Sequence, residues 1–136
     1  MNRFVLDCSV SAAWFLQDET SARATNVFKK LRSEEALVPS LWPVEMANVL
    51  AVAERRGQIS VADSQRAVEL ILALPIVIES DGRAILKRLG SVARQHGVSA
   101  YDACYLELAQ RQGLPLATLD RSLTKAAKRS GIPLLL

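Results

Sequence analysis

Short apolar runs rich in Val, Ile and Leu alternate along the chain with longer stretches whose apolar residues recur every three or four positions. The first pattern is that of strands buried on both faces, the second that of amphipathic helices. Their alternation predicts βαβ units around a parallel sheet. RFVLD (3–7) reads as a first strand, SVSAAWFL (9–16) and TSARATNVFKKLR (20–32) as two helices, and ALVPS (36–40) as a second strand. WPVEMANVLAVAERRG (42–57) is a helix with Pro43 near its first turn and Gly57 as its stop. SVADSQRAVELILAL (60–74) follows with Ser60 as its cap, and Pro75 ends it. IVIES (76–80) is a third strand, DGRAILKRLGSVARQHG (81–97) a helix, and SAYDACYLELAQRQG (99–113) a helix capped by Ser99 and stopped by Gly113. LPLATLD (114–120) is a fourth strand, SLTKAAKRSG (122–131) a last helix and IPLLL (132–136) a fifth strand. No repeat, low-complexity segment or linker interrupts them, so residues 1–136 are expected to form one α/β domain.

Composition narrows the chemistry. No apolar run approaches the ~20 residues a membrane span needs, and MNRFVLD is not a signal peptide, so the expected compartment is the cytoplasm. Cys8 and Cys104 fit neither a disulfide framework nor a zinc pattern and read as reduced, buried small hydrophobes. The single histidine, His96, precedes Gly97 where a helix ends, so it reads as a cap. A histidine-based nucleophilic mechanism has no local support. The net charge is +3, and after Asp120 the chain carries Arg121, Lys125, Lys128 and Arg129 but no acid.

Four acids stand at one edge of the expected sheet. Asp7 closes the first strand and Asp120 the fourth, while Glu45 and Asp102 lie in the first turns of helices that follow strands. Helix N-termini and strand C-termini share one side of a βαβ unit, which is where ligands sit in open parallel sheets. Taken singly, each acid has a bland explanation. Ser99-x-x-Asp102 is a capping-box spacing, Glu45 favours its helix dipole, and Asp7 and Asp120 can cap the helices that follow them. Capping does not, however, require four acids at the same edge. Glu54, half a turn of the helix from Glu45, and Glu107, about 140° around from Asp102 at 100° per residue, face away. Asp18, Glu19, Glu34, Glu35, Asp63 and Asp81 fall at polar boundaries and read as caps or solvated groups. Asn48 shares the face of Glu45, and Ser9 and Thr118 bring hydroxyls to the two strand ends. Four clustered carboxylates repel one another unless a cation intervenes. Oxygen-only ligation points to Mg²⁺ or Mn²⁺, and a divalent ion beside a basic segment fits phosphoryl chemistry on a polyanion.

FVLDCSV, PVEMANVL, SAYDACYLELA and LATLD resemble, in order and spacing, the four motifs of PIN-domain proteins, and among them the VapC-type toxins of bacterial toxin–antitoxin pairs. The resemblance runs from Phe4 to the last strand. It implies an α/β/α sandwich on a five-stranded parallel sheet of order 3-2-1-4-5. It implies an acidic quartet of Asp7, Glu45, Asp102 and Asp120 with Ser9, Asn48 and Thr118 as polar supports, Asp7 and Asp102 being the principal metal ligands. The implied activity is Mg²⁺- or Mn²⁺-dependent endoribonuclease cleavage of tRNA or ribosomal RNA, with Arg121, Lys125, Lys128 and Arg129 guiding the backbone. The implied partners are a VapB-type antitoxin and a second copy of the chain, as a homodimer or a toxin–antitoxin hetero-oligomer. Trp14, Phe15, Leu16 and Phe28 are either core or the lining of a groove for the antitoxin helix. A phospho-acceptor receiver domain fits less well: there is no acid pair at Asp7 and no lysine after the last strand. A non-catalytic module that only binds RNA or protein remains the alternative.

Overall fold

The computed structural model describes residues 2–16, 21–80 and 82–135; Asp18, Glu19 and Asp81 lie outside them. Strands β1 (Arg3–Leu6), β2 (Glu35–Pro39), β3 (Ile76–Glu79) and β4 (Leu116–Ala117) form a parallel sheet in the order β3-β2-β1-β4. Phe4 pairs with Ala36, Leu37 with Val77 and Leu6 with Ala117. Phe4, Val5 and Leu6 are all 0% exposed. Consecutive strand residues point to opposite faces, so both faces of the sheet centre are covered, as a three-layer sandwich requires. Only β3, at the edge, exposes apolar residues, Val77 and Ile78.

The helices are α1 (Cys8–Ala13), α2 (Ser21–Lys30), α3 (Leu41–Arg55), α4 (Val61–Leu72), α5 (Ile85–His96), α6 (Ala100–Gln112) and α7 (Arg121–Arg129). Their ends follow local chemistry. Ser60 and Ser99 accept from the amides of Asp63 and Asp102 as N-caps, and Gly97 and Gly113 close α5 and α6 in the left-handed conformation that glycine adopts without a Cβ penalty. α6 packs against β1, β2 and β4 and carries several of the large fully buried side chains, Tyr105, Leu106 and Leu108. α1 is shorter than its apolar pattern, ending at Ala13 with Trp14 as its C-cap. Trp14 and Phe15 are half-buried; the Trp14 indole donates to the Ala24 carbonyl at 2.9 Å and stacks edge-on with Phe28 at 5.2 Å.

The expected fifth strand is a correction. Leu134 makes an isolated parallel bridge with Leu116, through Leu116 N to Pro133 O and Leu135 N to Leu116 O. Pro133 has no amide to donate and β4 offers a ladder of two residues, so pairing stops at one bridge and the sheet has four strands. The bridge nevertheless falls beside β4, in the place the order 3-2-1-4-5 assigns.

Candidate active site

Sheet order reverses between β1 and β4: the chain steps outward from β1 to β2 and β3 on one side and to β4 on the other. Asp7 follows β1 at this switch point, 6% exposed. Its backbone occupies the N-cap position of α1, yet its side chain makes no capping bond. The carboxylate turns instead toward two hydroxyls, Ser9 Oγ donating to Asp7 Oδ2 at 2.6 Å and Thr118 Oγ1 donating to the same oxygen at 2.7 Å. Each hydroxyl accepts in turn from the loop after β4, Ser9 Oγ from Leu119 N at 2.9 Å and Thr118 Oγ1 from Asp120 N at 3.0 Å. The two amides therefore orient both hydroxyl protons toward Asp7 and lock Oδ2 as an acceptor.

Asp120 does act as a cap, its Oδ1 accepting from Leu123 N at 2.8 Å at the start of α7. Asp102 sits in the first turn of α6 while Ser99 does the capping. Glu45, half-buried on α3, accepts from the Tyr105 hydroxyl of α6. The acids feel one another. Burial, and then the charge of Asp120, raise the Asp7 carboxyl against the lowering pull of its two hydroxyl partners. Burial raises Glu45 and Asp102 as well, Glu45 further through Asp7 and Asp102, and Asp102 through Asp120 and Asp7. The charges of Asp7, Glu45, Asp102 and Asp120 thus bear on one another pair by pair. Ser9 and Thr118 stand where expected, bonded to Asp7. Asn48 is exposed and donates to no carboxylate among the described residues. Arg121, Lys125, Lys128 and Arg129 are all exposed on α7, whose opposite side buries Leu123, Ala126 and Ala127. Arg129 is already engaged with the His96 carbonyl at 3.0 Å.

Beneath the acids, Trp42 Nε1 donates to Ser11 Oγ at 3.0 Å, and Ser11 Oγ donates to the Cys8 carbonyl at 3.1 Å, tying α1 to α3. Cys8 is buried, its thiol pushed up to about 12 by burial and by Glu45 and Asp7, so it is inert packing. Tyr105 is the site residue that the sequence pattern did not single out. One signal was there: it lies three residues after Asp102, on the same helix face, and a tyrosine among Ala and Leu needs an acceptor for its hydroxyl. Among the described residues no three acids stand close enough to share one ion. The donor set still fits Mg²⁺ or Mn²⁺: it is all oxygen, it is self-repelling, and Mg²⁺ keeps several waters while taking one or two carboxylates directly.

The PIN domain family model matches residues 4–129. The chain belongs to the PIN-domain family. Across 124 residues it is 31% identical to Ribonuclease VapC3 of Pyrobaculum aerophilum, covering 90% of this chain and 93% of that one. Solved structures share the fold, two of them VapC-type proteins. The VapC20 toxin of Mycobacterium tuberculosis, which cleaves the sarcin–ricin loop, superposes with a TM-score of 0.68 at 15% identity over 90% of this chain and 94% of its own. VapBC2 from Rickettsia felis, bound to a fragment of its promoter DNA, gives a TM-score of 0.66 at 12% identity over 98% of this PIN domain and 97% of that chain.

Proposed function

We propose that this PIN domain is the toxin of a type II toxin–antitoxin pair, an Mg²⁺- or Mn²⁺-dependent endoribonuclease working in the cytoplasm on structured RNA such as tRNA or ribosomal RNA. The observation that carries the reading is Asp7: a buried carboxylate at the sheet's switch point, held by two hydroxyls and raised by burial and by the charge of Asp120. Its relatedness to a protein named a ribonuclease supports the substrate class. Asp7 and Asp102 would hold the ion, with Asp120 and Glu45 completing its shell directly or through water. A bound divalent ion supplies an activated water and neutralises charge developing on the phosphate. The protein does the rest. Ser9 and Thr118 keep Asp7 from swinging, the α7 cap holds Asp120 against the β4 end, and the exposed basic face of α7 neutralises phosphates of the incoming strand.

Two partners follow from the same reading. A VapB-type antitoxin would seat an apolar segment in the groove of about 850 Å³ that Phe15, Leu16, Gln58 and Ile59 help to line. A second copy of the chain would cover apolar surface such as Leu72 and Leu86, which are 79% and 77% exposed. The test is RNA cleavage by purified, metal-stripped protein. EDTA should abolish it and Mg²⁺ or Mn²⁺ restore it. Undiminished cleavage in EDTA removes the metal mechanism, and no cleavage with either ion across tRNA and ribosomal RNA leaves the domain a non-catalytic binding module.

A further inference from the structure

Tyr105 is 1% exposed, faces the acid cluster from α6, and donates its hydroxyl to Glu45 Oε1 across 60 residues of sequence. A phenylalanine would fill the same volume without a buried hydroxyl to satisfy. Glu45 is a long side chain repelled by Asp7 and by Asp102. Left alone it would swing outward, away from those charges, and lose its rotamer freedom only when a cation drew it back. The phenol opposes that swing and orders Glu45 during folding rather than during ligand binding.

We propose that Tyr105 is a positioning residue: by holding Glu45 Oε1 it fixes the carboxylate within the acidic cluster and leaves Oε2 to engage a divalent ion or its waters. The proposal rests on the metal-dependent nuclease reading, and its test separates the two. Metal-free full-length protein is titrated with Mn²⁺ by calorimetry as wild type, Tyr105→Phe, Glu45→Ala and the double variant. Hydrogen-bond partners behind metal ligands contribute ~10–100-fold to metal affinity, so Tyr105→Phe should bind Mn²⁺ about 10-fold more weakly. Because the effect passes through Glu45, the same change made on Glu45→Ala should weaken binding no further.

Wild-type affinity in Tyr105→Phe overturns the proposal, and so does an equal loss on the Glu45→Ala background, which would mark a general packing defect. If wild type itself binds no Mn²⁺, the metal reading falls and the proposal falls with it. If wild type binds and Tyr105→Phe is unchanged, only the role of Tyr105 falls. Should Tyr105→Phe fail to fold, the native chain carries the test by nuclear magnetic resonance. A slowly exchanging Tyr105 hydroxyl proton should be visible, shift on adding Mg²⁺ and vanish in Glu45→Ala. A missing signal, or one indifferent to Glu45, overturns the proposal.

Discussion

Asp120 and Asp102 occupy neighbouring helix starts but are committed differently. Asp120 gives one oxygen to the Leu123 amide, whereas the capping of α6 is done by Ser99 and leaves the Asp102 carboxylate out of it. Asp102→Asn therefore removes charge without removing a cap. Single-turnover cleavage should drop by about two orders of magnitude or more, the scale of losing one electrostatic group at a reacting centre, while Glu54→Gln on the far side of α3 should cleave at the wild-type rate. Metal-free stability gives the second readout. Asp7, Glu45 and Asp102 are all raised in the folded state, chiefly by burial. A raised carboxyl binds its proton more tightly folded than unfolded. Its stabilisation is complete below the unfolded values, ordinarily 3.8 for Asp and 4.5 for Glu, and is lost as pH rises from there through the folded values. The melting temperature of wild type, taken relative to Asp102→Asn, should thus fall as pH climbs from that range toward neutrality, and Mg²⁺ should close the gap. A gap that widens in favour of wild type at neutral pH without metal contradicts the repelling cluster. Asp7, Asp102 and Asp120 were legible in the sequence because a strand end, a first helical turn and a helix cap fix where a carboxylate must be; Glu45, expected in a first turn, stands one turn further into α3, which begins at Leu41. Tyr105 was not legible, because nothing in the sequence says what a hydroxyl meets across 60 residues.

At the scale of elements, α6 shows how far a helical wheel reaches. The wheel turns Glu107 away from Asp102, and the structure agrees, but a wheel does not say whether the far face meets solvent or another element. Glu107 is 4% exposed and accepts from Arg88 Nε of α5 at 2.9 Å and Arg111 Nε at 2.7 Å, while Arg111 reaches Glu79 of β3 at 3.5 Å. This ionic knot fastens α5 and the sheet edge to the back of the helix that presents Asp102. Glu107→Gln keeps the shape and removes the buried charge that Arg88 and Arg111 share. Breaking a fully buried pair costs ~3–5 kcal/mol, and these arginines are partly solvated, so the loss should be about 2 kcal/mol. The urea midpoint should fall with its slope unchanged, and cleavage per folded molecule should stay near wild type. An unchanged midpoint would show the knot to be dispensable. The same gap between local pattern and tertiary partner explains the fifth strand, where an apolar run met a two-residue neighbour and a proline.

Across the whole molecule, the parallel sheet was legible in the alternation of apolar runs with helical patterns, whereas the order 3-2-1-4 was legible only through the family resemblance, and Asp7 lies at the one point where that order reverses. The surface was less legible. Trp14 and Phe15 read equally as core or groove, and the structure leaves them half-buried, stacked edge-on at 6.4 Å beside the groove between the end of α1 and the α3–α4 turn. Partial burial is what a docking surface needs: rings held in place by Phe28 and the Ala24 carbonyl, with apolar area left uncovered. Ile59 lines that groove without belonging to the acid cluster, the ionic knot or the basic face of α7. Ile59→Lys places a charge where an apolar antitoxin segment would pack, and the groove itself is open enough for the unbound lysine to reach water. Free Ile59→Lys should cleave RNA as wild type does. Its complex with the antitoxin should weaken by roughly 30-fold or more, the loss expected when a central interface side chain is spoiled. Titrating antitoxin into a cleavage assay reads both quantities at once. If Ile59→Lys is neutralised at the same antitoxin concentration as wild type, the partner docks elsewhere; if it is inactive before any antitoxin is added, the groove belongs to the RNA path instead.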